Sequence, residues 1–159
     1  MKKFYFLMLL ALPLLAFSAC DDDDKLPDVS LSAQIEGATR VDDVLYVVQG
    51  DTLDIVAINM VDNTKKGAVI GGVEYFWDYY RIGGNIVAPY GMRLVTDGIP
   101  AGNHFLQILA SVYAVDYSPC EAFMGFKVKL VPSESDIPTE GTVEPSPTLN
   151  LGVRSADDD

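Results

Sequence analysis

The sequence predicts an all-β fold: seven or eight short strands packed as an antiparallel β-sandwich over residues 28–132. Three observations predict it. Apolar and polar residues alternate with a period of two in several stretches. Clusters of Gly, Asp and Asn separate those stretches at roughly ten-residue intervals. Beyond the first 19 residues no segment carries a helical period, and parallel sheets would need crossover helices for which there is no room.

The strands justify themselves in order. Val29, Leu31, Ala33 and Ile35 alternate with Ser30, Ser32, Gln34 and Glu36, so one face is buried and one wet, and Gly37 ends the run. Residues 44–48 form a short β-branched and aromatic run closed by Gln49-Gly50-Asp51. Leu53, Ile55 and Ala57 alternate with Thr52 and Asp54, and Asp62-Asn63-Thr64-Lys65-Lys66-Gly67 reads as a loop. Residues 74–81 hold Tyr75, Phe76, Trp77, Tyr79 and Tyr80, a density that favours β-structure, with Trp77 and Tyr79 on one face and Gly83-Gly84 breaking the strand. Ile86-Val87 is expected as a short edge strand and residues 92–95 as another. Residues 105–112 are apolar on both faces except Gln107 and Ser111, which suits a central strand. Phe126, Val128 and Leu130 alternate with Lys127 and Lys129 as the last one.

Both ends differ from this central part. Lys2 and Lys3, an apolar run over residues 4–17, and Ser18-Ala19 before Cys20 have the layout of a secretory leader over residues 1–19. The run is shorter than the ~20 residues a membrane span needs. Leu14-Leu15-Ala16-Phe17-Ser18-Ala19-Cys20 resembles a bacterial lipobox, which implies that Cys20 is acylated and tethers the chain to a membrane. The alternative is an ordinary leader that leaves Cys20 as a thiol free to pair with Cys120. Asp21, Asp22, Asp23, Asp24 and Lys25 resemble the acidic export signal after the lipid cysteine in surface lipoproteins of some Gram-negative anaerobes. The same string occurs in cleavable expression tags, but its place between a leader and its domain argues against one. Residues 20–27 are thus an acidic tether, and outer-membrane or cell-surface localisation is expected. The tail, residues 133–159, mixes Pro138, Pro145 and Pro147 with Ser, Thr and Glu and is expected to be disordered. Within it, residues 148–153 alternate in a way that would suit an added edge strand, on this domain or on a partner.

Charge narrows the partners. The chain has 11 Lys and Arg against 23 Asp and Glu, a formal −12; without Lys2 and Lys3 the balance is −14. More than half of that sits on the two ends. This argues against nucleic acid and against a polybasic membrane site.

The order of features resembles a family. Gly50-Asp51-Thr52-Leu53-Asp54-Ile55, Tyr75-Phe76-Trp77-Asp78-Tyr79 with its Trp, Gly83-Gly84-Asn85-Ile86, and Thr96-Asp97-Gly98 followed by Ile99-Pro100-Ala101-Gly102-Asn103-His104 are together similar to bacterial immunoglobulin-like and PKD-like domains. The resemblance implies an immunoglobulin-like β-sandwich with Trp77 in the core and His104 structural at a strand start. The chain has no Cys…Trp…Cys spacing and lacks the Gly-Asp-Gly of PKD domains proper.

Candidate sites are few. Tyr80, Tyr90, Tyr113 and Tyr117 could form an exposed platform for a glycan; the alternative is tyrosines packed along strands with only the hydroxyl wet. Asp42, Asp43, Asp51, Asp54, Asp62 and Asp116 could ligate Ca²⁺, but no spaced acidic loop exists and turn-forming Asp accounts for them. His104 with Cys120 is the one conceivable nucleophile pair. No catalytic motif, cofactor motif or metal motif is present, so the chain is not expected to be an enzyme. The expected function is an envelope-anchored binding or adhesion module for a protein or glycan. A structural accessory subunit or spacer, using strand addition through the tail, is the alternative.

Overall fold

A computed structural model describes residues 25–154. The leader, Cys20, Asp21, Asp22, Asp23 and Asp24 lie outside the described residues. The strands are β1 (Val29–Glu36), β2 (Thr39–Val41), β3 (Val44–Val48), β4 (Thr52–Asp62), β5 (Val69–Trp77), β6 (Tyr80–Asn85), β7 (Met92–Val95), β8 (Gly102–Tyr113), β9 (Cys120–Val131), β10 (Val143–Pro145) and β11 (Thr148–Arg154).

They form an immunoglobulin-like sandwich. One sheet runs β7–β4–β1–β11, the other β6–β5–β8–β9–β3–β2–β10. The division of β1, β4 and β7 from β5, β8 and β9 is that of immunoglobulin-like domains. Inward-facing Leu31, Ile35, Leu53, Ile55, Tyr75, Trp77, Leu106, Ile108 and Leu130 make the core. Trp77 is 7% exposed, as its family likeness implied. Gly37 closes the β1–β2 turn because only glycine fits: its φ is +75° and a Cβ would run into the Thr52 carbonyl oxygen.

Five expectations are corrected. First, the described residues hold eleven strands, and one ladder is parallel: Val44 lies opposite Lys127 and Val48 opposite Val131. Strands β4 to β8, lying between β3 and β9 in sequence, serve as the crossover, so no helix is needed. Second, β4 changes phase. Gln34 faces Ala57 but Ile35 faces Ile55, so Val56 is the extra residue of a bulge and Ile58, not Ala57, turns inward.

Third, the aromatic run is a hairpin and not one strand. Asp78 (φ 49°) and Tyr79 (φ 70°) are the two left-handed residues of a tight turn pairing Trp77 with Tyr80. The turn throws Tyr79 out of the Trp77 face, to 75% exposure. Fourth, Gly83 and Gly84 therefore lie within β6, and Ile86-Val87 belongs to the loop behind it, with Val87 N–H donating to Asn85 Oδ1 at 3.0 Å.

Fifth, the tail is ordered through residue 154. Residues 148–151 of β11 pair with β1, and residues 152–154 pair with β9, so this strand joins the two sheets. Leu149 is buried, which the tail's average composition hides. Residues 142–147 are fastened along β2: Asp42 N–H donates to the Thr142 carbonyl (3.1 Å), Ser146 N–H to the Ala38 carbonyl (3.0 Å), and Arg40 pairs with Glu144 (3.6 Å). The boundary expected at residue 132 is thus not where the described fold ends.

Candidate functional site

The four candidate tyrosines do not form one platform. Tyr80 lies opposite Trp77, and Tyr113 opposite Val69, at the two ends of β5. Eight residues of strand separate those ends, about 26 Å. Tyr90 is a packing residue: its hydroxyl donates to the Ile70 carbonyl (2.9 Å) and its own carbonyl accepts the Tyr75 hydroxyl. Tyr117 is half-buried in the β8–β9 loop. Tyr80 and Tyr113, 78% and 48% exposed, remain open to solvent.

The other candidates separate as well. His104 faces Val128 and Cys120 faces Val112, so the conceivable nucleophile pair sits at opposite ends of the β8–β9 ladder, about 26 Å apart. Burial, aided by Glu121, pushes the Cys120 thiol upward, which suits an inert core cysteine. Asp54 pairs with Arg93 and Asp116 with Lys66, while Asp62 caps its loop by accepting from the Thr64 and Ala68 N–H groups. Among the described residues no group of three or more His, Cys, Asp or Glu could hold a metal.

What the fold does assemble is a depression on the outer face of β6–β5–β8, about 440 Å³ in volume. Tyr113 and Ile86 stand on its flanks, and Glu74, Arg81, Asn85 and Ser111 supply polar groups. Strand alternation puts Glu74 on the outer face of β5, because Val73 and Tyr75 beside it point inward. The hairpin turn then brings Arg81 within 2.8 Å of it. Asn85 Oδ1 is occupied by Val87, which leaves its amide N–H groups for a ligand.

The floor is glycine. At Gly71 a Cβ would collide with the Tyr113 ring, which therefore lies against bare backbone with its remainder exposed. At Gly84 a Cβ would come within 3.0 Å of Arg81 Nη2. Sequence reading found Tyr113 and missed Glu74, Arg81, Asn85 and Ser111. The available signal was the doublet pair Gly71-Gly72 and Gly83-Gly84, which becomes informative only once the turn at Asp78 and Tyr79 brings the two strands together.

At the other end of β5 the hairpin tip is firmly held. Asp78 N–H donates to the Phe105 carbonyl, and Phe105 N–H to Asp78 Oδ1, both at 2.8 Å. His104 stacks on Trp77 with ring centroids 5.0 Å apart. Its Nδ1 lies 2.7 Å from Asp78 Oδ2 and its Nε2 2.9 Å from the Pro100 carbonyl. Both partners are acceptors, so the doubly protonated imidazolium fits best. Burial lowers the His104 pKa, but the Asp78 and Pro100 hydrogen bonds and the Asp78 charge raise it to a net position above the ordinary value. His104 is a structural clamp, as the family likeness implied.

No protein-family model and no curated protein matches the chain. Among solved structures, the fibronectin(III)-like modules of Clostridium thermocellum CbhA align over 58% of this chain and 94% of that one. The identity is 18% and the TM-score 0.38. The sandwich assignment rests on the strand order and register given above.

Proposed function

We propose that the protein is a binding module held at the cell envelope through lipid on Cys20, with its ligand taken on the outer face of β6–β5–β8. The depression on that face is the observation that carries the reading. It is the place where the fold gathers an exposed aromatic ring, an ion pair, an amide and a hydroxyl around open backbone. Concave sites with a few convergent polar groups are where small ligands bind. The lipobox-like residues 14–20 and the acidic tether support presentation outward from an outer membrane.

The accessory-subunit alternative is less well supported. The segment that would have been lent to a partner, residues 148–153, pairs within this chain between β1 and β9. Photocrosslinking on intact cells tests the reading. A photoreactive residue in place of Ser111 is expected to give a discrete adduct, whereas one in place of Asn59, on the opposite sheet, is expected to give none. Equal labelling from both positions, or none from either, would refute it.

A further inference from the structure

We infer that the β6–β5–β8 depression is a saccharide subsite that takes the ring of a neutral pyranose. The inference rests on the reading of that face as the ligand surface and names the ligand's chemistry.

A pyranose asks for two things, a platform for its C–H-rich face and partners for its hydroxyls. Tyr113 supplies the first. Its ring is backed by Gly71 and the residue is 48% exposed, and the negative face of an aromatic ring attracts weakly positive C–H groups. The second comes from groups of both kinds: Glu74 accepts, the Arg81 guanidinium and the Asn85 amide donate, and Ser111 does either. Hydroxyls are donor and acceptor together, and such a mixed lining suits them better than it suits a carboxylate, a phosphate or an apolar side chain.

Charge selects a neutral ligand. Glu74 and Arg81 compensate each other at 2.8 Å, so the lining offers no net charge to hold an anionic or a cationic ligand. The volume of about 440 Å³ falls among small-molecule sites, which run from roughly 300 to 1,000 Å³.

Gly72 leaves the backbone bare beside this ring. Its backbone is not left-handed, and a Cβ there would meet only Ile86 Cγ2, at an ordinary 3.4 Å, and the Asn85 carbonyl at 3.8 Å. It adjoins the β-bulge at Gly71, where Ile70 faces Val112 and Gly72 faces Ser111, and that bulge accounts for the glycine doublet without a ligand. A methyl at Gly72 therefore fits the fold while filling part of the depression.

The test is a titration of ¹⁵N-labelled protein with maltotetraose, cellotetraose and mannotetraose, each to about 10 mM, read by amide chemical shifts. At least one is expected to move the amides of residues 71–74, 84–86 and 111–113. Tyr113→Ala and Gly72→Ala are each expected to weaken that binding about tenfold or more. Gly72→Ala should melt at or above the wild-type temperature, so its lost binding reads the depression and not the fold. Shifts centred on Tyr79 and Tyr80, or no shift with any of the three, overturn the inference. Absent shifts with a persisting adduct through Ser111 overturn the saccharide assignment alone; absent shifts and no adduct bring down the ligand-face reading with it.

Discussion

His104 shows how one side chain ties local chemistry to stability. The ring is 12% exposed, stacked on Trp77, and held between two acceptors. Its folded pKa lies above the ordinary value, so its contribution is fully present below about pH 6.5 and is lost as pH rises through the folded pKa. Burial pushes the Cys120 thiol upward as well, and its loss of stability has the same sign but sets in only as pH nears the ordinary thiol value of about 8.5. The wild-type protein is therefore expected to melt at a lower temperature at pH 7.5 than at pH 6. His104→Gln should cost about 1–2 kcal/mol at pH 6 and remove that slope. Trp77, the only tryptophan, reports the same event: its fluorescence should change with pH in the wild type and not in the variant. A variant whose melting temperature keeps the slope would show that another group titrates. The role of His104 was legible in the sequence only through its family likeness, because its partners Asp78 and Pro100 are set by the turn geometry on either side.

At the scale of elements, the period of two was legible wherever a strand is regular. Val29, Leu31, Ala33 and Ile35 all turn inward, and residues 105–112 lie within the longer strand β8, between β5 and β9. The misreadings have identifiable causes. A bulge adds a residue and shifts the phase, as at Val56. A tight turn made from Asp and Tyr lacks the glycine that usually announces it. A single strand in a polar tail is diluted when composition is averaged over 27 residues, 133–159. Strand β11 is the most consequential of these, because it closes the edges of both β1 and β9. Removing residues 148–159 leaves those backbone groups unpaired. That truncation is expected to lower the melting temperature by 10 °C or more, on the order of 3 kcal/mol, and to shift size-exclusion elution toward oligomers. Unchanged melting and a monomeric profile would mean that β11 adds nothing to the fold.

At the scale of the molecule, two features combine: a sandwich that shows its β6–β5–β8 face to solvent, and an N-terminal segment that resembles a lipobox. The class of fold was legible from periodicity and turn spacing alone. The site was not, since Glu74, Arg81, Asn85, Ser111 and Tyr113 come from three strands, and only their register makes them neighbours. The anchor is a proposal that rests on residues 14–24, and one measurement addresses it. Mass spectrometry of the mature N-terminus should find Cys20 as the first residue carrying acyl chains. An unmodified Cys20 would remove the tether from the account.

The claim on which the rest depends is that ligand binds over the glycine floor of the β6–β5–β8 face. The most direct measurement is photocrosslinking through position 111 on intact cells, in the wild-type background beside Gly72→Ala. The account predicts a discrete adduct in the first and at least a tenfold weaker one in the second, with both proteins equally folded. An adduct of equal intensity in the two backgrounds would contradict it.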